Sequence, residues 1–161
     1  MSDTYTTDTP ASLVPMSIKK LLFIMLYGAI AGLVTWCLTV VLDTYVYKAI
    51  LCSGDVAVQC AASYQYASTT STIIGAAVGL FGLVKLQVFR PLLIVIASFV
   101  SLWGLLLLLV PLPWYLAAVA AAGLYGVAFG AFGWIARIRQ FFFAIILVIL
   151  MIVAVRLILN S

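Results

Sequence analysis

The chain has 161 residues, 67% of them hydrophobic and 7% charged, with a formal net charge of +4. A mean hydropathy of +1.33 is too apolar for a water-soluble domain, so the expected solvent is lipid, and the Lys and Arg residues flanking apolar runs read as helix orienters rather than a nucleic-acid surface. With no His or Glu, and with Asp3, Asp8, Asp43 and Asp55 as the whole acidic complement, His-based metal and Ser/His/Asp sites are excluded, and no catalytic, metal or cofactor site is expected.

Residues 1–18 carry Ser, Thr, Pro10 and Pro15 with little apolar periodicity, which predicts a disordered polar leader. Residues 19–161 are expected to form a single transmembrane helical domain. Lys19 and Lys20 precede the first apolar run, Leu21 to Leu42. It is longer than a signal-peptide core and should remain as a span. The spans expected after it are about 69–88, 91–110, 114–135 and 141–159, each near the roughly 20 residues that cross a bilayer.

The second run is the weakest, because Ser68 to Thr72 precede its apolar part. Charge supports it. If it crosses, Lys19, Lys20, Lys85, Arg90, Arg137 and Arg139 lie inside, and only Lys48 and Arg156 lie outside, as the positive-inside tendency asks. The expectation is therefore an all-α bundle of five transmembrane helices in the cell membrane, with the N-terminus inside and the C-terminus outside. Tyr45, Tyr47, Tyr64, Tyr66, Trp114 and Tyr115 then mark the outer boundary, and Phe89, Trp134 and Phe141 to Phe143 the inner one. Trp36 and Trp103 fall nearer mid-span and should pack against helices, while Arg156 can snorkel outward.

The outer loop, about residues 43–67, holds Cys52 and Cys60. In an oxidising compartment an eight-residue separation suits a structural disulfide worth roughly 2–3 kcal/mol in the chain-entropy model. Gly54 as a helix C-cap and Asp55 as a helix start point instead to a projecting helical hairpin. A sharp turn at Gly54 would misalign the two cysteines, so the preferred reading is the disulfide with a short, partly helical loop. Cys37 reads as a buried small hydrophobe.

Small residues recur on four spans. Gly28 and Gly32, extended by Thr35 and Thr39, mark the first helix; Thr72, Gly75, Gly79 and Gly82 mark the second; Ala97, Ser101 and Gly104 mark the third; Ala118, Ala122, Gly126 and Gly130 mark the fourth, beside Gly123 and Gly133. Such faces let helices approach closely in lipid. Packing within one monomer is the first reading, with homo-oligomer contact and a solute path as alternatives. The fifth span, built of Ile, Leu, Val and Phe, suits the edge of the bundle or a membrane-protein partner.

Three functions compete. A non-catalytic accessory or scaffold subunit predicts a closed interior. A channel or facilitator for a small solute would line its path with Thr35, Thr39, Thr72, Ser98 and Ser101. A membrane thiol-disulfide oxidoreductase would use Cys52 and Cys60, with Cys37 as a third thiol about 20 Å away along the helix.

Overall fold

A computed structural model describes residues 17–52, 60, 62–88, 90–136 and 141–160, with side chains of the last segment described at 145–154 and 157. The expectations for the polar leader, Gly54, Asp55, Phe89, the basic link 137–140, Phe141 to Phe143 and Arg156 fall outside what is described. The elements are α1 (Ile18–Val41), a π-helical segment (Leu42–Tyr47), α2 (Lys48–Leu51), α3 (Ser63–Lys85), α4 (Pro91–Ser101), α5 (Leu105–Leu108), α6 (Trp114–Ile135) and α7 (Phe141–Asn160). Among the described residues there is no strand, and four helices are long and apolar enough to cross a membrane: Ile18–Leu51, Ser63–Lys85, Pro91–Leu108 and Trp114–Ile135.

Local chemistry sets the helix ends. Ser17 starts α1 with an extended backbone, and its hydroxyl accepts from the Lys20 N–H at 3.3 Å, satisfying one of the donors a helix start leaves free. Pro91 at the first turn of α4 and Pro113 just before α6 occupy positions where a missing N–H costs nothing. The third apolar run does not continue unbroken to Val110. It turns at Leu102–Gly104, where Gly104 adopts φ +87°, a conformation that a residue without Cβ reaches cheaply.

α1 lies between α3 and α6, antiparallel to both, and the glycines set the distances. A Cβ at Gly28 would meet the Phe129 ring at 2.7 Å and the Tyr125 carbonyl at 2.8 Å; one at Gly32 would meet the Ala121 carbonyl at 2.7 Å. From the facing helix, a Cβ at Gly126 would come 3.1 Å from the Met25 carbonyl and one at Gly130 2.6 Å from its side chain. On the other flank, a Cβ at Gly82 would meet the Tyr27 ring at 2.5 Å, and one at Gly75 would run into the Thr35 hydroxyl. These approaches bring the backbones of α1, α3 and α6 close together.

Aromatic rings close the middle. Phe99 of α4 packs on Tyr125 and Phe129 of α6 with centroids 4.8 and 6.1 Å apart, and its ring edge reaches Gly75 and Gly79 of α3. Tyr125, Phe129 and Phe132 are fully buried. α7 packs on α4 and leaves an apolar groove of about 520 Å³ between Ile145, Val148 and Ile152 on one side and Pro91 to Val100 on the other.

One small-residue face is displaced from its expected phase. Gly126 and Gly130 are buried, but Ala122 and Ala118 are only half-buried, and the contact in that part of α6 runs through Ala117 and Ala121. At 3.6 residues per turn a four-residue stripe drifts by roughly 40° per step, so it leaves a straight contact line within two or three steps. A Cβ at Gly123 would meet nothing within 4 Å.

Candidate functional site

The polar groups of α1 and α3 gather in two places: a seam between these two helices, and a cavity between α3 and the break at Leu102–Gly104. The seam starts from the hydroxyls at Thr35 and Thr39. Both are fully buried and both donate to their own helix, Thr35 to the Ala31 carbonyl at 2.7 Å and Thr39 to the Thr35 carbonyl at 2.8 Å. Thr39 also shares a short hydrogen bond with Ser71 of α3. As α1 advances by four residues, its partner retreats by four: Thr35 faces Gly75, and Thr39 faces Ser71.

The same stripe continues to Asp43 and Tyr47, in a stretch expected to be loop. The helix instead runs on to Leu51 and α3 begins at Ser63, so much of the expected loop 43–67 is a paired helical extension. The π-helical segment explains how the stripe stays in register. Its wider turns, marked by the Lys48 N–H bonding to the Asp43 carbonyl five residues back, oppose the drift that four-residue spacing accumulates in an α-helix. Asp43 is thereby buried at 6% exposure, and its two oxygens take Ser63 Oγ at 2.8 Å and Lys48 Nζ at 2.7 Å. Tyr47 donates to or accepts from Thr70 at 2.7 Å and stacks on Tyr66, while Tyr64 donates to the Leu106 carbonyl at 3.2 Å. Asp43 as a buried group was missed in the sequence; the four-residue series Thr35, Thr39, Asp43, Tyr47 is the signal that could have found it.

At the tip, the sulfurs of Cys52 and Cys60 lie at bonding distance with Cα atoms 4.8 Å apart. A helix continuous to Leu51 and the pairing of Cys52 with Cys60 thus occur together. Cys37 corrects an expectation: it is exposed on the outer flank of α1, not buried. With the helix continuous to Leu51, its fifteen-residue separation from Cys52 is roughly 22 Å, too far for thiol exchange. Lys48, the cation closest in sequence to Cys52, is paired with Asp43.

The five hydroxyls expected to line a path all turn inward. Thr35, Thr39, Thr72, Ser98 and Ser101 are buried, and the last three donate to the Ser68, Ile94 and Ser98 carbonyls at 2.6, 2.7 and 3.0 Å. Of the five, Thr72 alone lies on the wall of the cavity beside the helix break. Among the described residues, no buried side-chain nitrogen or oxygen lacks a partner, and no group of three His, Cys, Asp or Glu residues gathers.

Trp36 is half-buried against the core, as its mid-span position suggested, whereas Trp103 is 42% exposed beside the break. Comparison of the chain with protein-family models, with curated proteins and with solved structures found no match.

Proposed function

We propose that this chain is an integral membrane protein of the cell membrane with five spans, N-terminus inside and C-terminus outside, acting as a non-catalytic accessory or scaffold subunit. One observation carries the reading: the interior is filled by Phe99, Tyr125 and Phe129 against glycine faces, and the buried hydroxyls are spent on carbonyls of their own helices. Serine and threonine back-bonded in this way satisfy themselves and leave no continuous polar route.

The charge distribution supports the proposed orientation. Lys20 Nζ lies 3.4 Å from the Gln87 carbonyl, so the start of α1 and the end of α3 meet, and Lys19, Lys20, Lys85 and Arg90 share one end of the bundle. The opposite end carries exposed Tyr45, Tyr66, Trp114 and Tyr115, rings suited to a headgroup layer. The fifth crossing is α7, whose apolar side chains over Ile145–Ala154 and loose seat on α4 suit the edge of the bundle, where a membrane-protein partner or a second copy would dock.

A facilitator for a small solute is the second reading, favoured by the inward turn of all five hydroxyls. The oxidoreductase reading draws no support from the distance between Cys37 and the cysteine pair. Purification from the native membrane in mild detergent, with particle mass and identification of co-purifying chains, tests the proposal. A foreign partner at fixed stoichiometry is the expected result. A lone homo-oligomer that passes small solutes in proteoliposomes would replace it with the facilitator.

A further inference from the structure

Beside the break in the third apolar helix is a cavity of about 260 Å³, walled by Gln65, Ser68, Thr69 and Thr72 of α3 and, across from them, by Trp103 and Gly104. The sequence places the four polar residues at i, i+3, i+4 and i+7, one face of a helix. Ser68 and Thr72 are each only 7% exposed, so the inner half of this polar wall is recessed into the bundle, while Thr69 is half-buried and Gln65 stands exposed at its mouth.

The state of the hydroxyls decides what the wall can bind. Ser68 and Thr69 both donate to the Gln65 carbonyl at 2.9 Å, and Thr72 donates to the Ser68 carbonyl at 2.6 Å. A hydroxyl whose proton is committed to its own backbone offers lone pairs alone. Three oxygens on this wall therefore act as acceptors, and Gln65 adds an amide that can do the same. No Lys or Arg stands on the wall.

The end of α4 lies opposite: the helix stops at Leu102, and its Ser98 and Val100 carbonyls already accept from the Leu102 and Trp103 N–H groups, so it adds the weak negative field of a short helix C-terminus. A Cβ at Gly104 would meet nothing within 4 Å, so the turn opens onto free space. Trp103 contributes an aromatic ring, a further attraction for a cation.

We propose that this cavity is a binding site for a small protonated alkylamine, whose ammonium N–H groups donate to Ser68, Thr69 and Thr72 and whose alkyl chain lies against Leu102 and Leu106. Side-chain donors on this lining are confined to the Gln65 amide and the Trp103 indole N–H, so acceptors outnumber donors and no cationic side chain balances an anion. The volume equals that of roughly nine liquid waters at about 30 Å³ each, which suits a short organic cation better than a bare alkali ion. The site goes beyond the scaffold reading and does not depend on it.

The test titrates the purified full-length protein in mild detergent with propylammonium chloride at neutral pH, following tryptophan fluorescence, with 1-propanol, sodium propionate and potassium chloride in parallel. A saturable response to propylammonium alone is expected. Ser68→Ala with Thr72→Val should raise the half-saturation concentration at least tenfold while leaving the ligand-free melting temperature near wild type. Should that pair fail to fold, Thr69→Val alone, whose hydroxyl bonds only within α3, is expected to raise it severalfold. An absent or non-saturating response, an equal response to 1-propanol or potassium chloride, or undiminished affinity in the folded variants would overturn the site.

Discussion

Replacing Gly32 with Ala tests the packing between α1 and α6 where a Cβ would meet backbone first. The new methyl would sit 2.7 Å from the Ala121 carbonyl oxygen and 2.8 Å from Tyr125 Cβ, each several tenths of an ångström inside van der Waals contact. The first obstacle is backbone, so no rotamer change relieves it, and the helices must separate. A gap of about 0.5–1 Å forfeits a quarter to a half of the dispersion energy of each contact it opens, and overpacking of this kind costs about 1–3 kcal/mol. Helices separated in lipid stay helical, so the propensity gain of Ala over Gly offsets little of this. Gly123→Ala is the matched control, since its Cβ meets nothing within 4 Å, and it should be neutral. Thermal unfolding of both variants in mild detergent is the assay, with a fall of several degrees expected for Gly32→Ala. Equal melting temperatures for Gly32→Ala and wild type, or a larger fall for Gly123→Ala, would refute the argument.

Three further outcomes are expected. Gly75→Ala drives a methyl into the Thr35 hydroxyl and should lower stability by about 1–3 kcal/mol, while adding Thr35→Ala, which vacates that volume, should recover most of it; a double variant as unstable as the single one would place the clash elsewhere. Cys52→Ser with Cys60→Ser should cost about 2.6 kcal/mol by the loop-closure relation for a nine-residue ring, and after native membranes are dissolved in SDS without reductant a maleimide should modify one cysteine per wild-type chain, Cys37, with labelling of all three pointing to a reduced pair. Lys48→Ala should destabilise more than loss of an ordinary surface pair, because it leaves the carboxylate of Asp43, 6% exposed, without its counter-ion; Asp43→Asn, which keeps an acceptor for Ser63, should cost less, and the reverse ranking in a melting series would contradict the geometry.

The apolar runs and their Pro and Gly boundaries made the helices legible, because length and hydropathy are properties of the chain itself. Gly28, Gly32, Gly75, Gly82, Gly126 and Gly130 were legible as contact points for the same reason: a missing Cβ matters wherever the helix is packed. Phase was harder to read. Ala122 belongs to the four-residue series ending at Gly130, yet the drift of an α-helix carries it off the contact line, and Ala121 takes its place. The Asp43 site was hidden by its charge, since an acidic residue followed by Thr44 and Tyr45 resembles a loop. A π-helical stretch that turns it toward Ser63 depends on the partner helix, which no local pattern specifies. The cavity at Gly104 was likewise invisible, because a lone glycine in a leucine-rich run signals packing as readily as a break.

Counting the crossings tests the account most directly, because among the described residues four helices are long and apolar enough to span and the proposed orientation requires α7 as the fifth. In a background with Cys37, Cys52 and Cys60 replaced by Ser, single cysteines introduced as Ser17→Cys, Gln87→Cys, Leu112→Cys and Ser161→Cys would be exposed to a membrane-impermeant maleimide on intact cells. Five crossings predict labelling at positions 112 and 161, with 17 and 87 protected until the membrane is permeabilised. Labelling at 17 and 161 on the same side of the membrane would contradict the account.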